Sequence, residues 1–150
     1  NIYYTAEGPD DYYEASGIIE NERNVWLHPP RAPIFCVNEI NPFPYIKTPL
    51  TVGARWTWEL EIGDHYSSSL WKKWSDSIVN RYEYAITGFG PLATPLGTLD
   101  CYEVSALANS EIGQTAMKAW FNPEYGFVRL DFTNVDGSQF LMVLTEVKYP

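Results

Sequence analysis

Residues 120–138, WFNPEYGFVRLDFTNVDGS, decide the fold, because they alternate strand-forming runs with two hairpin signals. The first signal, NPEYG, turns the chain through Pro123 and Gly126. The second, VDGS, predicts a two-residue type I′ turn at Asp136 and Gly137. Strands joined by such tight turns lie antiparallel in one sheet, so this stretch predicts consecutive hairpins.

The register of the first hairpin follows from its side chains. A loop of about four residues gives the two strands one wholly apolar face and one polar face. The apolar pairs are Phe121–Val128, Ala119–Leu130 and Met117–Phe132. The polar pairs are Trp120–Arg129, which stack, and Lys118–Asp131, which carry opposite charges. A slip of one residue would set Lys118 against Leu130, so the first register is favoured.

The same reasoning extends the sheet on both sides. Pairing Asn109 with Gln114 adds one strand before this hairpin, and the type I′ turn adds one strand after it. The residues that join the apolar face are then Tyr102, Val104, Ala106, Leu141 and Val143. The opposite face of the last strand carries Phe140, Met142 and Leu144. That strand is therefore apolar on both faces, and another segment must cover the second face.

Two more strands are predicted upstream. RWTWELEI, from Arg55 to Ile62, alternates with a period of two, and the segment Ile78–Thr87 follows the same pattern. Between them Ser67 or Ser68 could cap a short helix that places Leu70, Trp71 and Trp74 on one side. GFGPLATPLG, residues 88–97, is interpreted as a long, turn-rich connection.

The first 50 residues are interpreted as an irregular strap. A short strand is expected at Asn24–His28, followed by six prolines, each of which fixes φ and removes a backbone donor. We expect this segment to be extended and to lie over the sheet or at its edge. The predicted fold is a single, mainly β domain, with the strap at 1–50 and the meander at 51–150. The meander is strongly curved and antiparallel, a half-barrel of about six strands with one short helix.

Composition excludes some classes of partner. The chain of 150 residues carries a formal net charge of −9 and no basic run, which argues against nucleic acid and against anionic membranes. No apolar run approaches the roughly 20 residues of a spanning helix. Cys36 and Cys101 could form a disulfide or remain free thiols, and the free thiols are slightly favoured. No spacing of Cys and His indicates a metal, and no cofactor motif occurs.

The stretches PLTVGARWTWEL, TPLGTLDCYEV and WFNPEYGFVRLDFTNVDGS resemble a family of uncharacterised bacterial cell-envelope proteins, many of them lipoproteins or periplasmic. The resemblance covers roughly Pro49 to Val147. At one remove, that family is similar to lipoprotein-carrier proteins, whose curved sheet half-closes around an apolar cavity. The resemblance implies an exported protein, either periplasmic or anchored to the outer membrane of a Gram-negative-type bacterium. A start at Asn1 without methionine agrees with a removed signal peptide, although a trimmed chain would also explain it.

The aromatic residues suggest a ligand-binding face. Six should point to the concave side of the curved sheet, and Trp71 and Trp74 of the predicted helix would cover the opening. The six are Trp56, Trp58, Tyr82, Tyr84, Tyr102 and Phe132. Tyrosine and tryptophan combine an apolar body with a polar tip, which suits a lipid or another amphipathic ligand. A core filled by the same rings is the alternative, and it is favoured about two to one because small barrels are usually filled by their own side chains.

WLHPPR, residues 26–31, raises a second candidate. His28 and Arg31 could bind an anion, but one histidine and one arginine do not make a catalytic constellation, and a stiff structural turn is favoured. The sequence contains no Gly-x-Ser-x-Gly motif and no calcium loop, so an enzyme is the least supported class. The expected function is non-enzymatic binding of an apolar or amphipathic ligand. The alternative is an accessory module with a filled core that binds a glycan or an envelope protein.

Overall fold

The computed structural model describes residues 2–6, 12–31 and 33–148, and this part of the chain forms three antiparallel sheets. The strands are β1 (Ile2–Ala6), β2 (Tyr12–Ser16), β3 (Ile18–Asn21), β4 (Asn24–Leu27), β5 (Tyr45–Lys47), β6 (Arg55–Gly63), β7 (Ser77–Thr94), β8 (Gly97–Ser110), β9 (Gly113–Asn122), β10 (Gly126–Thr133) and β11 (Gln139–Val143). Strands β6 to β11 form a six-stranded meander in sequence order that is not closed into a barrel. The predicted mainly β, antiparallel fold is confirmed.

The N-terminal segment is more regular than predicted. It contains a β1–β2 hairpin, a three-stranded β3–β4–β5 sheet and a 3-10 helix at Pro33–Ile40, where an irregular, extended strap was expected. The predicted strand at Asn24–His28 is present as β4. The prolines of this segment lie between the strands, so they separate regular elements and do not prevent them from forming. The segment does lie over the large sheet, since Val25, Leu27 and Ile46 belong to the same buried cluster as Trp56 and Tyr82.

The predicted short helix is absent from the described chain. A three-residue 3-10 turn at Asp64–Tyr66 leads into turns closed by a bridge between Ser68 and Lys72. The Ser68 hydroxyl accepts a hydrogen bond from the Leu70 N–H at 3.1 Å, which closes a local turn where a helix cap was predicted. Leu70 is 80% exposed, whereas Trp71 and Trp74 are half-buried, so the three do not share one side.

The predicted turn-rich connection at 88–97 is wrong, because the two flanking strands run straight through it. Strands β7 and β8 pair as far as Thr94 and Gly97, with Pro95 and Leu96 at the turn. A bulge at Thr87 absorbs one residue between Ile86 and Gly88. Strand β6 begins at Arg55, which pairs with Ala85, so β6 does not extend along the rest of β7. This part of β7 therefore lies at a sheet edge, where glycine and proline are tolerated. We call residues 88–100 the arm.

The predicted registers of the central strands are confirmed. Asn109 faces Gln114 between β8 and β9, and Ala119–Leu130, Lys118–Asp131 and Met117–Phe132 face one another between β9 and β10. The one difference is a bulge near Val128, which lets Phe121 pair with Phe127. These registers hold because each of them separates an apolar face from a polar one.

The predicted register of the last strand is wrong by one residue. Phe140 pairs with Phe132 and Met142 with Leu130, whereas Leu141 is 58% exposed opposite Asp131. A two-residue type I′ turn needs positive φ at both central residues, and here only Gly137, at +83°, has it. The chain makes a wider turn in which the Gly137 N–H donates to the Asn134 carbonyl at 2.9 Å. The apolar second face of β11 is therefore not formed as predicted.

This turn gives a first prediction. Gly137→Ala should lower the free energy of unfolding by about 1 kcal/mol or more, because a Cβ is strained at positive φ. Gly90→Ala is the matched control, since Gly90 has nothing within 4 Å of an added Cβ and no positive φ. Equilibrium urea unfolding measures both variants. Equal stability of the two would contradict the assigned turn.

Candidate functional site

The six aromatic residues of the predicted ligand face all lie on the core side of the large sheet. Trp56, Tyr82, Tyr84 and Phe132 are buried, and Trp58 and Tyr102 are half-buried against the same cluster. Strand register brings four of them together in two stacked pairs. The ring centroids are 5.3 Å apart in Trp56–Tyr84 and 4.5 Å apart in Trp58–Tyr82. The other two stand apart from these pairs, Tyr102 beside Phe89 and Phe132 stacked on Phe140.

The N-terminal segment packs directly on the stacked pairs. The Phe43 ring lies 5.7 Å from Trp58, and the Tyr45 ring lies 5.6 Å from Tyr84. The Tyr84 hydroxyl donates to the Phe43 carbonyl at 3.0 Å and accepts from the Trp58 indole N–H at 3.2 Å. Burial raises the pKa of Tyr84 and of Tyr82 far above the ordinary value, so both phenols are neutral. These rings therefore contact the protein's own chain.

Buried polar side chains fix the segment above the sheet. The Asn80 amide on β7 and the Thr115 hydroxyl on β9 both donate to the carbonyl of Ile40, at 2.8 Å and 3.0 Å. The Asn41 amide donates to Asn134 Oδ1 at 2.7 Å, which joins the segment to the turn before β11. All four of these polar side chains are buried. They set the position of the 3-10 helix at Pro33–Ile40.

The tryptophans of the predicted cover lie at one end of the core. Trp71 and Trp74 pack beside a small buried cluster of Val37, Ile40, Ile62 and Ile78. The Trp71 indole N–H donates to the Tyr66 carbonyl at 3.1 Å. Both side chains are thus engaged in packing in this structure.

The candidate anion-binding pair is also engaged. Nδ1 of His28 lies 2.8 Å from the Pro29 carbonyl, and its ring packs 5.8 Å from the ring of Phe43. Nε of Arg31 lies 2.6 Å from Oε1 of Glu39, a carboxylate whose side chain is 4% exposed. A guanidinium paired with a buried carboxylate has its charge balanced within the protein. Both side chains are therefore in contact with groups of the protein's own chain.

The opposite face of the large sheet carries an open cleft that crosses all six strands. Its volume is about 810 Å³. Strand register places Arg55, Ala85, Ser105, Lys118, Asp131 and Leu141 in one row across it. A neighbouring row carries Glu83, Leu107, Ala116, Thr133 and Gln139. Of the eight aromatic residues predicted to bind a ligand, only Tyr84 and Phe132 border this cleft.

Charges in the cleft are mostly paired. Arg129 makes two hydrogen bonds of 2.8 Å to the Asp131 carboxylate, and its guanidinium lies 5.0 Å from the Trp120 ring centroid. Lys118 lies 3.3 Å from Glu103. Arg55 has no ion pair with any residue that the structure describes. Arg55 is therefore the cationic group of the cleft that remains available.

Sequence reasoning missed the cleft because it followed only the apolar side of each alternation. The signal was present on the other side, where Ala85, Ser105 and Ala116 occupy outward positions that long polar side chains usually fill. Small residues at those positions leave space above the sheet. Such a pattern indicates a hollow only once the pairing of all six strands is known.

Within the described ranges, no group of three or more His, Cys, Asp or Glu side chains could hold a metal ion. In the same ranges, no helix is long and apolar enough to cross a membrane. Cys36 and Cys101 are free thiols, the first half-buried and the second buried.

A second prediction concerns Tyr84. Tyr84→Phe should lower the free energy of unfolding by about 1–3 kcal/mol, because the Trp58 indole and the Phe43 carbonyl each lose a buried partner. Tyr102→Phe is the control, since the Tyr102 hydroxyl makes no hydrogen bond with the described residues. Urea unfolding at pH 8 provides the comparison. An equal, small effect in both variants would contradict the role given to Tyr84.

A third prediction follows from the raised pKa of this buried tyrosine. A phenol that stays protonated when folded but ionises near pH 10 when unfolded stabilises the fold fully below that pH and loses this contribution above it. Stability should therefore fall from pH 9 to pH 11, and in Tyr84→Phe the loss should be smaller by about 1.4 kcal/mol. Urea unfolding across this range tests it. A loss as large in Tyr84→Phe as in Tyr102→Phe would refute it.

Comparisons with known proteins give no relative. No protein-family model, no curated protein and no solved structure matches this chain. Its function has to be argued from its own surfaces.

Proposed function

We propose that this protein is a non-enzymatic binding module that holds an amphipathic small molecule in the cleft on the open face of the large sheet. The observation that carries the proposal is the cleft itself, whose volume of about 810 Å³ is typical of small-molecule sites. The ligand class is the one expected from the sequence, but the site lies on the opposite face. The aromatic face, which was expected to bind it, packs on the N-terminal segment.

The apolar part of the ligand would lie along the middle and far side of the cleft. Leu107 is 40% exposed and Leu141 is 58% exposed, and both border the cleft together with Ala85 and Ala116. Single exposed leucines are common on protein surfaces and need no explanation. Leu107 and Ala116 are cross-strand neighbours and form an apolar patch in the middle of the cleft, whereas Leu141 lies at the far side, beyond Asp131 and Thr133 on β10.

The polar part of the ligand would be an anionic head group at Arg55. This arginine is exposed, borders the cleft on β6, and has no acidic partner among the described residues. From Arg55 to Leu141 the row crosses five strand spacings, about 24 Å along the sheet. That length suits an extended acyl chain with a carboxylate at one end. At the far side, Asp131 already neutralises Arg129.

The setting of this function remains a proposal as well. Export to the bacterial envelope is supported only by the resemblance of the strand and turn motifs. The alternative occupant of an accessory module, a glycan or an envelope protein, has less support, because the cleft combines exposed leucines with the cation Arg55. The exposed Glu83 in the neighbouring row also has no ion pair among the described residues, so the head group would have to lie on the Arg55 side of it. No residue of the cleft is assigned a catalytic role.

A fourth prediction tests the site with a fluorescent fatty acid, 11-(dansylamino)undecanoic acid. The wild-type protein should enhance and blue-shift its emission. Ala116→Trp should weaken binding at least about tenfold, because the indole fills the middle of the cleft. Thr57→Trp is the matched control: Thr57 also faces outward from the sheet, beside Glu83, but it does not border the cleft. Arg55→Ala should weaken binding of the carboxylate probe and spare an uncharged alcohol analogue.

The same titrations can also contradict the proposed binding site. Equal affinity in Ala116→Trp and Thr57→Trp would place the probe elsewhere, and no enhancement by the wild-type protein would reject a fatty-acid-like ligand. Circular dichroism of each variant confirms that the sheet is intact. Native mass spectrometry of the gently purified protein then shows whether a molecule of this class is retained, as added mass that is lost on denaturation.

A further inference from the structure

The arm carries no charge over residues 88–99, GFGPLATPLGTL, in a chain where 19% of the residues are charged. The nearest charged side chains are Asp100 and Glu103, which stand at its base. A segment without charge in a protein of net charge −9 is the part that can approach an apolar medium at the lowest electrostatic cost. The arm is therefore the part of the surface that suits an apolar partner.

The arm projects beyond the rest of the large sheet. Strand β6 pairs with β7 only as far as Ala85, and β9 pairs with β8 only from Tyr102 onward. Between these limits and the turn, the two strands of the arm pair only with each other among the described residues. The four residue steps from Pro91 to Pro95 span about 13 Å. A hairpin of two strands is marginally stable in water by itself, so the arm gains stability from an environment that surrounds it.

The turn of the arm satisfies part of its own polar groups. The Thr94 hydroxyl donates to the Gly97 carbonyl at 2.7 Å and accepts from the Leu96 N–H at 3.1 Å. Pro91 and Pro95 have no N–H to leave unpaired. A polar backbone group without a partner costs several kcal/mol in lipid, so only the turn, where these groups are paired or absent, suits the acyl region. The open edges of the two strands suit the polar interface above it.

Apolar side chains occur along the whole arm, from its base to its tip. Phe89 is 55% exposed, with its ring 4.6 Å from that of Tyr102 at the base. Leu92 and Leu99 face each other across the two strands, and Leu96 stands in the turn. The order from base to tip is therefore aromatic, then aliphatic. Aromatic rings suit the interfacial region of a bilayer and aliphatic chains suit its acyl region.

We propose that the tip of the arm inserts into one leaflet of a phospholipid bilayer with no net charge. The reach of about 13 Å is less than half of a hydrocarbon core of about 30 Å, so the arm enters the membrane without crossing it. The acidic chain is repelled by anionic lipid, which makes a zwitterionic surface the fitting one. This attachment goes beyond the proposed ligand cleft and does not depend on it.

A bilayer fits the arm better than a protein partner does. Pro91 stands in the outer edge of β7, where its missing N–H interrupts the addition of a further strand. Specific protein interfaces also carry about one hydrogen bond per 100–200 Å². The tip offers few groups for such bonds, since the Thr94 hydroxyl is already bonded within the arm and only the Thr98 hydroxyl adds to it.

The test labels one cysteine at the tip with the environment-sensitive dye NBD. Leu96→Cys is made in a Cys36→Ser background, because Cys36 is only half-buried and would compete for the dye, whereas Cys101 is buried. Leu70→Cys is the matched control: Leu70 is 80% exposed on the turn that leads into the other end of β7. With phosphatidylcholine vesicles, the label at residue 96 should brighten and shift to the blue, and the label at residue 70 should not change.

Vesicle flotation of unlabelled protein gives an independent readout. Leu96→Asp should reduce the bound fraction at least about tenfold, whereas Leu70→Asp should leave it unchanged. Ala116→Trp should also float like the wild type, which separates this proposal from the ligand cleft. Leu96 stands in a turn outside the core, and a thermal melt of Leu96→Asp verifies that the sheet still folds.

Three results would overturn the proposal. The first is absence of wild-type binding to phosphatidylcholine vesicles, and the second is an equal response of the labels at residues 70 and 96. The third is a change at residue 96 that follows protein concentration without lipid, which would identify a second copy of the chain as the partner. Stronger flotation with anionic than with zwitterionic vesicles would refute the lipid class stated here.

Discussion

The structure depends on one backbone carbonyl, that of Ile40. Two buried side chains, Asn80 on β7 and Thr115 on β9, donate to it from the large sheet. A buried donor left without a partner costs about 1–3 kcal/mol, so two of them at fixed places define where the N-terminal segment sits. Phe43 and Tyr45 follow Ile40 in the chain and are thereby set against the stacked rings of the sheet. Polar contacts provide the register of this packing, and the aromatic rings provide most of its buried area.

Covering one face of the sheet determines what the protein offers to partners. Once the N-terminal segment has buried the aromatic residues, the opposite face of the large sheet and the arm stay exposed. These two differ in character: the cleft mixes aliphatic side chains with charges, most of them paired, and the arm carries no charge from residue 88 to residue 99. On the two proposals made above, the cleft would hold an amphipathic molecule and the arm would contact a membrane. Both surfaces belong to the same sheet. The two roles are separable, because they are argued from different residues and are tested with different probes.

The sequence was a good guide wherever the two faces of a strand differ in polarity. Lys118 and Asp131 could be paired correctly because every alternative buries a charge, and the same logic placed Asn109 opposite Gln114. It failed where a local signal competed with a contact made elsewhere. Glycine and proline are common in turns, but a strand at an unpaired edge tolerates them, as β7 does at Gly90 and Pro91. Alternation also groups residues by face without saying which face the rest of the chain will cover, so the packing of the N-terminal segment on the aromatic residues could not be predicted.

The pairing of Asn41 with Asn134 has a consequence for how the chain folds. These residues are 93 positions apart, and Asn134 belongs to the turn that sets the register of β11. Local hydrogen bonds among residues 134–138 hold the observed turn, and the Asn41 bond adds to it a contact of very high sequence separation. Closing so long a loop is slow compared with forming a hairpin. We therefore expect the meander to form first from neighbouring contacts, and the bond that ties its edge strand to the N-terminal segment to form after that segment has docked.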